Sequence, residues 1–371
     1  MERAAARIEY DAVRRNCARL KAELREGAEL CAVVKADGYG HGAEGCAEAA
    51  LAGGATRFAV ATAAEAEALA PRFPQVPLLT MGTLTAEELD LVLAANSEVA
   101  VWREGFRALL SSRAEALETG RPVRVHVKYD SGMGRLGNPD PEQVLTLAQA
   151  CDADPNLELA GVWTHFATAD ELDSRFFGEQ LARFEGVARA VKAEFPSALA
   201  HAANSAAVFR DARSHFDMVR CGVAIYGLDP FQEDPAARGL APALALRSHV
   251  ADVKRFAAGA SAGYGQTWRA PEETWVGVVP LGYGDGVRRG LSNNAEVLVR
   301  GRRHPLVGTV SMDNLTIDLG PRTEVEPGDE AVLIGTQGED AILAEEVAAR
   351  LGTINYEVTC GISARVPRRA A

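Results

Sequence analysis

Polar and apolar positions along this chain follow two regimes. In the first, short apolar runs alternate with longer Ala/Glu/Arg/Leu stretches of helical period. The runs Cys31–Ala36, Arg57–Thr62, Pro77–Gly82, Ser97–Trp102, Val123–Asp130, Leu157–Phe166, Leu199–Ser205 and Met218–Gly227 predict eight strands. Between them, Ala63–Ala70, Ala86–Ala94, Pro141–Cys151 and Arg175–Phe195 predict helices. Strands that alternate with helices run parallel and are joined by crossovers, and eight of them favour a closed (β/α)₈ TIM-type barrel. Counting leaves an open doubly wound sheet as the alternative.

After Pro242 the pattern changes. Helical stretches thin out to one, near Leu343–Leu351. The runs Leu246–Phe256, Trp275–Leu281, Ala295–Val299 and Glu330–Ile334 are separated by Gly/Pro/Asn/Asp turns and predict a second, mainly β domain. The segment Asp229–Pro242, with its three prolines, is the natural linker. The expected division is an α/β barrel over residues 1–238 and a mainly β domain over 239–371.

Composition narrows the partners more than the chemistry. A chain of 371 residues with 47% hydrophobic and 24% charged positions is an ordinary globular protein of two-domain size. Its formal net charge of −12 argues against nucleic acid and anionic membranes, which require basic surfaces. No apolar run approaches a membrane span, and the first residues lack the apolar segment of an export signal, so a cytoplasmic protein is expected. Cys17, Cys31, Cys46, Cys151, Cys221 and Cys360 have no CxxC spacing. They read as buried free thiols, and no metal is expected.

In such barrels the reacting groups gather at the C-terminal ends of the strands. The first strand ends at Lys35, after Ala32-Val33-Val34. Apolar flanks lower an ammonium pKa and favour the neutral amine that Schiff-base formation requires, although a strand-end lysine can equally snorkel to solvent. The fifth strand ends in Lys128, with Arg135 seven residues on. His165 and His201 stand at the ends of the next two strands and Arg220 on the last; each could be a satisfied structural group, a reading that three switchable or cationic groups at one mouth weaken. Asn204-Ser205 and Gly222-Val223 offer N–H and hydroxyl groups where these barrels often bind phosphate. Plain N-capping by Ser205 is the alternative.

These residues resemble the alanine racemase family. The resemblance is carried by Ala32–Gly42, Asp130–Gly137, Thr164–Asp170, His201–Ala207, Gly263-Tyr264-Gly265, Gly282–Gly286 and Ser311-Met312-Asp313, in order along the whole chain. It implies an isomerase that uses pyridoxal 5'-phosphate (PLP) to interconvert L- and D-alanine for peptidoglycan, as a homodimer with shared sites. It implies Lys35 as the Schiff-base lysine, with Tyr39, Asn204, Ser205, Gly222, Val223 and Tyr356 around the phosphate. Arg220 would face the pyridine nitrogen. Arg135 and the Met312 backbone N–H would hold the substrate carboxylate. Lys128, carbamylated in some members, would orient Arg135. One position departs: Thr309 stands where an arginine lining the entry corridor is expected.

Racemisation removes a proton from one face of the α-carbon and returns one to the other, so two opposed bases suit it. The resemblance assigns Lys35 to the D-enantiomer and Tyr264 to the L-enantiomer, with His165, His201 and Arg220 behind them. A guanidinium donates and does not accept, so a pyridine nitrogen beside Arg220 is expected to stay unprotonated. That argues for racemisation over PLP-dependent decarboxylation. A broad-specificity or serine racemase is the alternative enzyme, and a non-catalytic PLP-binding carrier protein is the alternative of another class. The β domain and Tyr264 weigh against the carrier.

Overall fold

A computed structural model describes residues 2–371. Eight strands close a parallel barrel in chain order: β2 (Glu29–Val33), β3 (Arg57–Val60), β4 (Leu78–Thr80), β5 (Glu98–Val101), β6 (Val123–Lys128), β7 (Leu157–Trp163), β8 (Leu199–His201) and β9 (Met218–Cys221). Closure is completed where β9 pairs with β2, with Cys31 opposite Arg220. Seven of the eight strands lie within their expected runs, β2 begins two residues before its run at Glu29, and the open-sheet alternative is excluded. The strands are shorter than the runs, because the chain turns out of the barrel as soon as its polar strand-end residues begin.

Helix starts follow local chemistry. Thr62 with Glu65, and Thr85 with Glu88, form capping boxes at the heads of Ala63–Leu69 and Ala86–Ala94. Asp140 caps Pro141–Asp152, where the proline fills the first helical position and needs no partner for its missing N–H. The long helix Phe176–Glu194 buries Phe177, Leu181, Phe184, Val187 and Val191, at the three- and four-residue spacing of a core-facing stripe.

Backbone contacts divide the chain into two units. The barrel unit comprises Arg14–Gly38 and Ala43–Ile225; the second comprises the chain up to Val13, Tyr39–Gly42 and Tyr226–Ala371. A strand that the sequence reading did not separate from the barrel region, β1 (Ala4–Ile8), pairs antiparallel with β10 (Leu244–His249) and parallel with Arg368–Ala370. Both termini of the chain thus enter one sheet of the second unit.

That unit is mostly strand, with two corrections to the sequence reading. The single expected strand Leu246–Phe256 is two, β10 and Asp252–Phe256, in different sheets. The chain breaks between them because Val250 N bonds Asp329 O while Ala251 N bonds Val278 O. The one expected helix is also two, Ala344–Leu351 and Asn355–Cys360, separated by Gly352 in the left-handed conformation. The expected free thiols are all present; five are buried and Cys360 is exposed.

Candidate functional site

The interior of a barrel is filled by alternate residues of each strand. Along β6 these are Arg124, His126 and Lys128, set between valines. Together with Arg57, Glu98, His201 and Arg220 they build a polar column among apolar neighbours. Lys128, Trp163 and Arg220 form its upper layer. Lys128 Nζ lies 3.5 Å from the centroid of the Trp163 ring and Arg220 Cζ 4.7 Å from it, and the His201 ring stacks on the same indole at 5.7 Å and 5°.

Arg220 is 3% exposed. Nη1 reaches His201 Nδ1 at 2.9 Å; Nη2 reaches Thr164 O at 2.8 Å, Ala202 O at 3.0 Å and His165 Nδ1 at 3.2 Å. All four partners are neutral acceptors, and no carboxylate pairs with this guanidinium among the described residues. Burial pushes its pKa down to about 10, which leaves it charged at neutral pH.

The groups around it respond to that charge. Lys128 is held well below the ordinary lysine range by burial, then by Arg220 and Arg135. His165 lies well below the ordinary histidine value because of burial and then Arg220, Lys128, Arg135 and Lys35. His201 is lowered by burial and by Arg220. Because a guanidinium can only donate, His165 accepts at Nδ1 and carries its proton on Nε2. The mouth therefore holds an excess of positive charge over neutral imidazoles, a setting that fits an anionic ligand.

Lys35 lies one residue beyond β2, after Val34, and is half-buried. The next four residues, Ala36, Asp37, Gly38 and Tyr39, all have φ between 51° and 61°, a left-handed turn in place of the expected strand end. Left-handed backbone costs about 1–2 kcal/mol for each residue that has a side chain. Three bonds offset this: Gly38 N to Val34 O at 3.0 Å, Ala36 N to Glu65 Oε1 at 2.6 Å, and Ala43 N to Asp37 Oδ1 at 2.9 Å. Glu65, already the capping-box acid of its helix, also fixes the residue after Lys35.

Around the expected phosphate site, the cap of Ser205–Arg210 is Asn204, whose side chain accepts from Ala207 N at 3.0 Å. The alternative reading of Ser205 as the cap is thereby corrected. Ser205, 2% exposed, instead accepts at Oγ from Gly222 N at 3.2 Å and Ala224 N at 3.3 Å, which draws the loop around Val223 against the helix start. Arg135 is exposed, on a loop whose Gly132 and Gly134 N–H groups bond the Asp130 carboxylate.

The remaining expected residues lie in the second unit. Tyr39 contacts Tyr226 and Tyr356, with ring centroids 5.1 and 6.0 Å apart. Tyr264 is 74% exposed, and its carbonyl accepts from Thr309 Oγ1 at 2.8 Å. Gly263 must be glycine, since its φ is 72° and a Cβ would meet Thr309 N at 3.0 Å. Met312 is exposed, and its carbonyl accepts from Gly284 N at 2.9 Å. A Cβ at Gly282 would fall 2.2 Å from Ser311 O, so the Gly282–Gly286 and Ser311-Met312-Asp313 motifs interlock through backbone. Sequence reading missed Glu98, His126 and Arg57; the period-2 alternation along β6 was the available signal.

Comparison with known proteins agrees with this geometry. The family model "Alanine racemase, N-terminal domain" matches residues 8–230, and "Alanine racemase, C-terminal domain" matches 243–370. An alanine racemase from Frankia casuarinae is 42% identical, covering 99% of this chain and 96% of its own; one from Geobacillus kaustophilus is 42% identical, covering 97% and 92%. The structure of alanine racemase from D-cycloserine-producing Streptomyces lavendulae superposes with a TM-score of 0.95 at 36% identity, covering 100% of this chain and 97% of that one. That from E. faecalis gives 0.90 at 38%, covering 99% and 98%. The chain belongs to the alanine racemase family, the isomerases that interconvert L- and D-alanine.

Proposed function

We propose that this chain racemises alanine with PLP held on Lys35, with Lys35 and Tyr264 as the two bases and two chains completing each other's sites. The observation that carries the reading is Arg220, a buried cation whose partners are all neutral. A ring nitrogen with a free lone pair fits beside such a donor, and a phosphate dianion suits the surplus charge of the mouth. Lys35, Ser205 and the loop Gly222-Val223 are the barrel residues that would hold the group; Asn204, Tyr39 and Tyr356 are assigned around its phosphate. When bound, PLP acidifies the α-proton of an attached amino acid.

The chain's own residues do the rest. The turn after Lys35 fixes where its amine sits when it takes or returns the proton on the D side. Tyr264 does the same on the L side, and the Nε2–H of His165 is the donor available to orient that phenol. Arg135 and the Met312 N–H hold the substrate carboxylate. Burial and the neighbouring guanidiniums hold the Lys128 pKa well below the ordinary lysine range, which favours the amine form that takes up CO₂ as a carbamate, and the carbamate would orient Arg135. In the second unit Tyr264, Tyr283, Met312 and Ile354 are all exposed, as residues destined for a partner chain would be. The D-alanine formed would serve peptidoglycan.

Borohydride reduction followed by peptide mass mapping tests the assignment. The expected result is a reduced PLP adduct on Lys35 and loss of activity; an adduct on any other lysine overturns it. Lys35→Ala should lower kcat/KM for both enantiomers by at least the ~10²–10⁴-fold of a positioned general base. Chromatography with light scattering should give the mass of a dimer, and a monomer that turns over normally would refute the shared site.

A further inference from the structure

The polar column of the barrel does not stop at His201. His201 Nε2 lies 2.9 Å from His126 Nδ1, and His126 Nε2 lies 2.8 Å from Glu98 Oε2. Glu98 then accepts at Oε1 from Arg57 at 3.0 Å and from Arg124 at 2.5 Å. Four groups are thus joined in line, Arg220, His201, His126 and Glu98, none more than 4% exposed. They span the barrel from its mouth to the first residue of β5. Below Glu98 a cavity of about 270 Å³, lined also by Asn96, Arg121 and Arg124, opens on the opposite face.

The two ends of this line settle the protons between them. At the mouth, Arg220 can only donate, so His201 Nδ1 is bare and its single proton sits on Nε2. That N–H points at His126 Nδ1, which must accept. The single proton of His126 therefore sits on Nε2 and is donated to Glu98, a carboxylate that can only accept. No other assignment satisfies all three bonds. A second proton on His126 would leave His201 with two acceptor nitrogens and none to donate. The charge at the floor is firmly fixed. Burial raises the Glu98 pKa, but the His126 hydrogen bond and the guanidiniums of Arg57 and Arg124 outweigh it and bring it to about 2.

We propose that Glu98 and His126 are positioning residues for the racemase site: by fixing the tautomer of His201 they fix the acceptor that aims Arg220. They touch neither substrate nor cofactor and act through His201. The inference rests on the reading of Arg220 as the group facing the cofactor ring. It extends the machinery to the floor of the barrel, some distance from the reacting atoms.

Without an acceptor at position 98, nothing holds the His126 proton on Nε2. If it moves to Nδ1, it opposes the His201 N–H, and His201 can relieve the conflict only by giving up its bond to Arg220. Glu98→Leu is a clean perturbation, because Arg57 keeps Glu29 and Arg124 keeps Glu158 as partners. Glu98→Gln retains an acceptor oxygen without the charge.

The test is ¹⁵N NMR of holoenzyme labelled at its histidine rings, with signals assigned through single His→Gln variants. In the unsubstituted enzyme, His126 and His201 should each show a protonated Nε2 and a bare Nδ1. Glu98→Leu should shift the His201 ring signals and lower kcat roughly 10-fold, with KM changed less than twofold. Glu98→Gln should recover the greater part of both. An Nδ1-protonated or doubly protonated His201 in the unsubstituted enzyme overturns the proposal even if the leucine variant does not fold. So does a Glu98→Leu enzyme with unshifted His201 signals. Borohydride mapping of the same samples keeps the two readings apart: a label away from Lys35 strikes the cofactor assignment, while the tautomers still decide the relay.

Discussion

Two arginines, one in each unit, are treated in opposite ways. Arg220 inside the barrel is buried and bonded only to neutral acceptors. Arg303 in the second unit is 28% exposed at its side chain and meets three carboxylates, Glu296, Asp340 and Glu346, at 3.1, 2.9 and 2.8 Å. Arg350 joins the same group through Glu296 and Glu346. The pKa of Arg220 falls to about 10 through burial, whereas that of Arg303 rises through its hydrogen bonds to Glu346 and Asp340. Arg303 is neutralised by its own sheet. Arg220 is left with its charge uncancelled, and leaving it so carries a desolvation cost that a purely structural residue has no reason to bear.

The largest break in this comparison should come from Arg220→Met. Removing an electrostatic donor aimed at the reacting centre typically costs about 10²–10³-fold in kcat. Stability should fall only modestly: Thr164 O, Ala202 O and the two imidazole nitrogens lose their buried donor, at about 1–3 kcal/mol for an unsatisfied group, and removal of a desolvated, unpaired charge offsets part of that loss. A thermal melt and an assay on the same sample measure both. A variant that melts far below the parent and retains its turnover would place Arg220 with Arg303, as a structural cation.

Much of this contrast could be read from sequence, and the unread part has identifiable causes. The eight strands announced themselves because parallel barrel strands are buried on both faces and read as apolar runs. The strand-end residues Lys35, His165, His201 and Arg220 stood out against those runs. The column beneath them did not. Arg124 and His126 alternate with valines as plainly as Lys128 does, but the side of a strand facing the barrel axis follows from closure, which no single strand encodes. The left-handed turn after Lys35 is announced only by Gly38; Ala36, Asp37 and Tyr39 disfavour it and are held by Glu65, twenty-nine positions on from Ala36. Strand β1 escaped notice because its partners, β10 and Arg368–Ala370, lie more than two hundred residues away. Choosing between Asn204 and Ser205 as the cap needed the Gly222 loop, which occupies the serine.

A middle-sized effect should separate the floor of the barrel from both arginines. The Glu98 pKa is about 2 in the folded chain against an ordinary 4.5. A depressed carboxyl contributes stability that is fully present above its unfolded value and disappears as pH falls through the folded one. The loss attributable to Glu98 should therefore fall between about pH 4.5 and 2. Melting temperatures across that window should drop more steeply for the parent than for Glu98→Gln. Parallel slopes would mean that the floor carboxylate is not paired as described.

The smallest effect belongs to Arg303→Met. Partly exposed ion pairs contribute about 0–1 kcal/mol each, and a network somewhat more than its isolated pairs. The substitution removes three carboxylate contacts and the bond to Ala341 O, so a loss of about 1 kcal/mol is expected. The loss should shrink in 1 M salt, where screening reaches only about 3 Å. Racemase activity should be unchanged, because Arg303 lies on the sheet edge with its carboxylates and touches none of the residues assigned to the reaction. A fall in kcat with no fall in stability would reverse the contrast, since it would mean that charge cancelled within the sheet is nevertheless used in turnover. Salt is the sharper of the two readouts. It weakens an arginine held by exposed carboxylates and leaves nearly untouched one bonded to buried carbonyls and imidazoles, so the two sites should separate along the ionic-strength axis even where their melting temperatures coincide.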